Sequence, residues 1–124
     1  MAAGRRKVNL DRGKPAAKQA LMNERVKPAD CRTMAEVRQG VDRLDEEIVA
    51  RIGERFRYMD AAARIKPDRA AVRDEARKAQ VLANVARHAE ANAVPAADVL
   101  ELYERLIEAS IAYEFVRFDD TRGA

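Results

Sequence analysis

Apolar residues recur at steps of three and four over one proline-free stretch, from Thr33 to Lys66. The members of this stripe are Val37, Val41, Leu44, Ile48, Ile52, Met59 and Ala62. Such spacing puts the side chains on one face of an α-helix. Pro67 cannot continue a helix and disfavours helical geometry in the residue before it. The pattern therefore predicts one long helix that ends near Ile65 or Lys66.

The predicted helix has a defined start and an unusual length. Residues 33–36 read Thr-Met-Ala-Glu, a capping box in which the Thr33 oxygen accepts from the Glu36 N–H and Glu36 bonds back to Thr33. The helix would be about 50 Å long at 1.5 Å per residue, whereas a compact 100-residue chain has a radius of gyration of about 13 Å. Such a helix extends beyond a compact monomer and leaves its apolar stripe exposed, so we predict a homodimer.

Two more helices are predicted after a connection at 67–72. The second runs from Arg73 to Ala91, ends at Asn92 in the left-handed conformation, and packs through Val81, Val85 and either His88 or Ala89. The third runs over 95–119, because Pro95 suits a first helical turn, and its buried stripe is Val99, Leu102, Tyr103, Leu106, Ile107, Ile111 and Phe115. No stretch alternates with period two, so no strand is expected. The predicted fold class is all-α, with three helices.

The positive charge is concentrated at the N-terminus of the chain. Residues 1–28 hold eight Lys or Arg and two acids, a balance of +6, whereas residues 29–124 hold sixteen bases and nineteen acids, a balance of −3. We predict a basic, mobile tail over 1–28 and a helical domain over 29–124. The net charge of +3 is thus no argument for nucleic-acid binding by the domain. Because no apolar run of eighteen residues occurs, we expect neither a membrane span nor a secretory signal.

The chain has one Cys, one His and one Ser. A single cysteine forms no intrachain disulfide and suits a reducing cytoplasm, where we expect the protein. Cys31 is interpreted as a packed small residue and His88 as a helix-surface residue. A nucleophile with its base and orienting group is hard to assemble from this set, and Cys/His metal sites are excluded. An enzyme of this composition would work by positioning and electrostatics, without a cofactor.

Two cations, Arg55 and Lys66, lie close to the apolar stripe of the first helix. They are eleven residues apart, which places them within about 20° of one line. Because such side chains are rarely buried without a partner, they suggest one wall of an anion pocket. The other helices could complete this pocket with Asp74, Arg77, Lys78, Ser110 and Glu114. A simpler interpretation is that the cations extend to solvent or pair with acids such as Asp42, Asp45 or Glu54.

Arg38 lies at the other end of the first helix. It precedes Arg55 by seventeen residues, about 25 Å along the axis, so one ligand within one subunit could not touch both. Antiparallel packing of two long helices in a dimer could bring Arg38 of one chain to Arg55 of the other. Two or three arginines in one pocket suit a substrate with two carboxylates.

Several short segments carry a family resemblance. They are Met-Ala-Glu-Val-Arg at 34–38, Val-Asp-Arg-Leu-Asp at 41–45, Ile-Val at 48–49, Glu-Arg at 54–55, Ile-Lys at 65–66, and Val-Arg-Asp at 72–74 with Arg77. Together they closely resemble the all-helical chorismate mutases, over roughly Pro28 to Asp119. The most specific part is the set Arg38, Arg55, Lys66, Asp74, Arg77 and Ser110. The lead-in Lys-Pro-Ala-Asp-Cys at 27–31 is similar to that of the isochorismate–pyruvate lyases, relatives with the same fold.

The resemblance implies an intertwined homodimer with two equivalent sites. The reaction would be the Claisen rearrangement of chorismate to prephenate, which needs no cofactor. Catalysis would consist of holding the diaxial conformer and stabilising charge on the ether oxygen. Arg38 of the partner subunit and Arg55 would clamp the two carboxylates, and Lys66 would donate to the ether oxygen and a carboxylate.

The remaining site residues also follow from the resemblance. Arg77 would orient the ligand, while Asp74 and Ser110 would bond near the hydroxyl and the ring carboxylate. Glu114 stands where many bacterial members carry Gln as the second donor to the ether oxygen, and fungal relatives also use Glu there. Lys78 stands where a Glu usually binds the hydroxyl; it could pair with Glu114 or Asp74, or contact the ligand. The apolar walls would be Ala62, Val81, Ile107 and Ile111.

Three other functions remain open from the sequence. Elimination of pyruvate from isochorismate is favoured by the lead-in at 27–31 and by Lys78, but Asp74 is typical of a mutase. A helical dimer without catalytic activity is the second alternative. Nucleic-acid binding through residues 1–28 is the third, although we expect a small dianionic substrate and neither a nucleic-acid nor a membrane partner.

Overall fold

The structure is a computed structural model that describes residues 25–123. It contains three helices, α1 (Met34–Ile65), α2 (Glu75–Ala91) and α3 (Ala96–Thr121), and single 3₁₀ turns at Pro28–Asp30 and Arg69–Val72. No strand occurs between residues 25 and 123, so the all-α prediction is confirmed. Most of the predicted tail, residues 1–24, lies outside the described residues. None of the described helices has the length and apolarity that a membrane span requires.

The capping box that we predicted at the start of α1 is present. Glu36 N donates to Thr33 Oγ1 at 3.1 Å, and Glu36 Oε1 accepts from Thr33 N at 3.1 Å and from Arg32 N at 2.7 Å. The bonds from the Arg32 and Thr33 amides lower the pKa of Glu36. Three backbone donors that have no partner within the helix are thus satisfied at its start.

Both ends of the second helix differ slightly from the prediction. α2 begins two residues later than expected, because Asp74 is its N-cap and accepts from Arg77 N at 3.0 Å. At its C-terminus the left-handed residue is Ala93, with φ of 56°, whereas Asn92 has φ of −104°. Asn92 instead donates its side-chain amide to His88 O at 2.8 Å. The expected left-handed Asn92 was therefore wrong by one residue.

The contacts divide the chain between residues 50 and 51. The unit that follows residue 50 has a small apolar core of Ala63, Val72 and Phe118, against which Ile111 and Phe115 pack. α2 buries Val85 and Ala89, so Ala89 rather than His88 completes its apolar face. Leu102 was assigned to the buried stripe of α3 but is 70% exposed. The other end of α3 supplies the core.

Residues 25–50 are described by themselves, as the lead-in and the first half of α1. Arg25 Nη1 pairs with Glu47 Oε2 at 2.9 Å, and Cys31 Sγ lies 3.9 Å from Val26 O. The predicted stripe is nevertheless uncovered in the single chain, with Val37, Val41, Leu44 and Ile48 between 37% and 53% exposed. Four neighbouring apolar side chains on one open helix face are typical of an interface.

Candidate active site

A cavity of about 310 Å³ lies within the unit formed by residues 51–123. Its volume is in the range of small-molecule sites. The second half of α1, the connection to α2, the start of α2 and the middle of α3 all contribute to its wall. The lining residues are Arg55, Met59, Ala62, Lys66, Val72, Asp74, Arg77, Lys78, Val81, Ile107, Ser110, Ile111 and Glu114.

The cavity brings together every residue that the sequence placed in the site, with the exception of Arg38. Arg38 is exposed on the first half of α1 and makes no hydrogen bond or ion pair to any residue between 25 and 123. Met59 and Val72 also line the cavity but were not named for the site. Met59 belongs to the stripe of α1 and could have been included, whereas Val72 lies in the connection, where no periodicity points to it.

Lys66 and Glu114 form an ion pair inside the cavity. Lys66 immediately follows α1, and its Nζ lies 2.7 Å from Glu114 Oε2 and 3.3 Å from Val72 O. Glu114 is only 3% exposed. Oε2 nevertheless has no well-aligned hydrogen-bond donor among the described residues, so we treat the contact with Lys66 as an ion pair without a directed hydrogen bond. The pair thus places a cation beside a buried carboxyl oxygen in the cavity.

Arg55 is held on the same wall by α3. Its Nη1 donates to Ser110 Oγ at 2.7 Å, and Ser110 Oγ donates to Leu106 O at 2.7 Å. The guanidinium carbon also lies 5.7 Å from the centre of the Tyr103 ring, within cation–π distance. Because Ser110 bonds back to its own helix, Arg55 is directed into the cavity by a short chain of hydrogen bonds.

The start of α2 contributes an acid and an arginine to the cavity rim. Asp74 and Arg77 are both exposed. One Asp74 oxygen is committed to the Arg77 backbone N–H, and Arg77 Nη1 donates to Gln80 Oε1 at 2.6 Å. The second Asp74 oxygen and the remaining Arg77 donors can therefore face a ligand.

Lys78 has partners that we did not foresee. Its Nζ lies 2.6 Å from Glu104 Oε2 and 2.7 Å from Glu108 Oε2, rather than against Glu114 or Asp74. Glu108 also accepts from Arg73 Nη2 at 2.7 Å. Glu104 and Glu108 are one turn apart on α3, so both carboxylates can bind the ammonium group of Lys78.

In this cluster of Arg73, Lys78, Glu104 and Glu108, hydrogen bonds displace the pKa values of Glu108 and Lys78 from their ordinary values. Hydrogen bonds from Arg73 and then Lys78 lower the pKa of Glu108 to about 2. Hydrogen bonds to Glu104 and then Glu108 raise the pKa of Lys78. The two cations and two carboxylates of the cluster balance one another, so Lys78 adds little net charge to the cavity.

The sequence and this geometry agree with one family. Residues 37–115 match the family model for chorismate mutase type II. The chain belongs to this family, as the segments above indicated. It is also similar to isochorismate pyruvate lyase of Pseudomonas aeruginosa, with 38% identity over 97 residues, which cover 78% of this chain and 96% of that relative.

Proposed function

We propose that the chain is a chorismate mutase, which rearranges chorismate to prephenate in this cavity. The observation that carries the proposal is the placement of two fixed cations, Arg55 and Lys66, in one cavity with apolar walls. A unimolecular rearrangement needs a folded substrate conformer and donors at the breaking C–O bond, and both demands are met by positioning. In this mechanism Arg55 binds a carboxylate, and Lys66 donates to the ether oxygen and a carboxylate.

The charge of the cavity supports a contribution from a second subunit. Once Lys78 is balanced within its cluster, three cations remain against two carboxylates: Arg55, Lys66 and Arg77 against Asp74 and Glu114. While Glu114 is ionised, this excess of one does not neutralise a dianionic substrate. Arg38 of the partner subunit would add a positive charge, in a homodimer held by the exposed stripe of α1, and protonation of Glu114, proposed below, would raise the excess further.

Glu114 is proposed as the second donor to the ether oxygen. A carboxylate offers only acceptors, whereas a protonated carboxyl offers one O–H. The proposed donor role therefore predicts that the turnover rate falls as the pH rises. We expect Glu114→Gln, whose amide donates at every pH, to flatten the profile of kcat against pH.

The control for this pH profile is Glu101→Gln on an exposed position of the same helix. It removes one carboxylate without touching the cavity and should keep the wild-type pH profile. A Glu114→Gln profile with the wild-type shape would refute the role of Glu114 as a proton-dependent donor.

Isochorismate pyruvate lyase is the second candidate, because the relative described above bears that name. The same cavity would bind isochorismate and release salicylate and pyruvate. Asp74 at the rim is the feature of this chain that favours the mutase, whereas the lead-in at 27–31 and Lys78 favour the lyase. The third candidate is not an enzyme: it is a helical dimer that serves partner binding or regulation.

Separate incubations of the purified chain with chorismate and with isochorismate test these functions. Formation of prephenate from chorismate is the expected result. Arg55→Ala, purified in the same way, should be inactive, and activity in that sample would reveal a contaminating enzyme. If the chain forms salicylate and pyruvate from isochorismate but no prephenate from chorismate, it is a lyase and the mutase proposal is wrong. If it converts neither substrate, the non-catalytic dimer is the function that remains.

A further inference from the structure

The C-terminus of α1 lacks one backbone donor. In a helix each C=O accepts from the N–H four residues later, and Lys66 N accordingly donates to Ala62 O at 2.9 Å. The next carbonyl, that of Ala63, would need the N–H of Pro67, which proline does not have. Ala63 is also completely buried, at 0% exposure. A carbonyl in such a place requires a donor from elsewhere in the fold.

Arg122, the residue that follows α3, supplies this donor. Its Nη1 donates to Ala63 O at 2.9 Å and its Nη2 donates to Lys66 O at 2.6 Å. The guanidinium carbon lies 3.8 Å from the centre of the Phe118 ring, and Nη1 also donates to Thr121 Oγ1 at 2.9 Å. Phe118 is itself part of the core with Ala63. The fork of Arg122 is therefore fixed by stacking and closes the end of α1.

We propose that Arg122 is a positioning residue for Lys66, an inference that rests on the proposed function. Lys66 lies just beyond the last helical residue, so its backbone direction is set by the bonds that close α1. The bond to Lys66 O fixes that backbone, and the side chain then reaches Glu114 and Val72 O across the cavity. Loss of the fork frees the Ala63 and Lys66 carbonyls together, and the Lys66 ammonium leaves the place where the ether oxygen is bound.

A matched set of variants separates this role from general stability. Arg122→Gln removes the fork, and Arg122→Lys restores one charged donor without the two-pronged geometry. Arg69→Ala is the control, because Arg69 also stacks on an α3 ring, that of Phe115, and pairs with Asp119. Arg69 makes no described bond to the end of α1, so its loss should spare Lys66.

The first readout is hydrogen exchange of the backbone amides at 63–66 in the full chain. Exchange should be faster in Arg122→Gln than in the wild type, with Arg69→Ala unchanged there. The second readout is kcat with chorismate. We expect about a tenfold fall in kcat with a smaller change in KM, because the displaced donor acts on the charge that develops during reaction. Arg122→Lys should recover part of kcat.

A third readout does not depend on turnover. In the NMR spectrum of the chain labelled at lysine, Lys66→Arg identifies the Lys66 signal, which should shift in Arg122→Gln and not in Arg69→Ala. Unchanged exchange, an unshifted Lys66 signal, or equal losses of kcat in Arg122→Gln and Arg69→Ala would each overturn the positioning role. If the wild type converts neither substrate, the proposed function fails, while exchange and the Lys66 signal still decide whether Arg122 holds Lys66.

Discussion

Lys66→Ala is expected to lower kcat by about 10²–10³-fold, the usual cost of removing one donor aimed at developing negative charge. Its Nζ lies 2.7 Å from the buried carboxyl of Glu114 in the cavity. The effect should appear mainly in kcat, because the ether oxygen gains charge only as its bond to carbon breaks. Steady-state kinetics with chorismate measure both constants.

The control for Lys66→Ala is Arg64→Ala in the last turn of α1. Arg64 is exposed and does not line the cavity, so its removal takes away a neighbouring positive charge and should leave kcat unchanged. Circular dichroism checks folding, since Lys66→Ala leaves the buried Glu114 without its cation. A folded Lys66→Ala variant with nearly normal kcat would contradict the assigned role of Lys66.

A mixture of Arg38→Ala and Arg55→Ala chains is expected to recover activity that neither variant has alone. In a heterodimer, the chain that keeps Arg55 faces the partner that keeps Arg38, so one of the two sites is complete. Random pairing of equal amounts makes half of the dimers mixed, which predicts about a quarter of the wild-type activity per chain. Activity is measured after the subunits have been allowed to exchange.

A second mixture, of Arg55→Ala and Lys66→Ala chains, is the control for complementation. Both residues line the same cavity of one chain, so each site in this heterodimer lacks one of them. No recovery is expected. If the Arg38→Ala and Arg55→Ala mixture also remains inactive while mass spectrometry shows exchanged subunits, the cross-chain role of Arg38 is wrong.

Local signals made most of the fold predictable. The capping box at Thr33 and the stop at Pro67 act over a few residues, so the bounds of α1 could be placed from the sequence alone. The stripe of α1 also placed Arg55 and Lys66 on one face, and the structure finds both in one cavity. The exposed position of Leu102 could not be predicted in this way, because periodicity identifies a face but not how far along the helix that face stays covered.

The contacts between distant residues were beyond local reasoning. Lys78 bonds to Glu104 and Glu108, which are 26 and 30 residues away, and only the packing of α2 on α3 brings them together. Arg122 lies 59 residues from Ala63. The missing N–H of Pro67 could have shown that a donor was needed, but nothing in the spacing indicated which side chain provides it.

The cluster around Lys78 affects how a rate profile is interpreted. The pKa of Glu108 is about 2, and the pKa of Lys78 is raised above its ordinary value. Both groups therefore keep their charge throughout an assay near neutral pH, and the cluster acts as a constant electrostatic background at the rim of the cavity. A change of kcat near neutral pH then does not arise from Glu108 or Lys78, so neither group confounds the comparison between the wild type and Glu114→Gln.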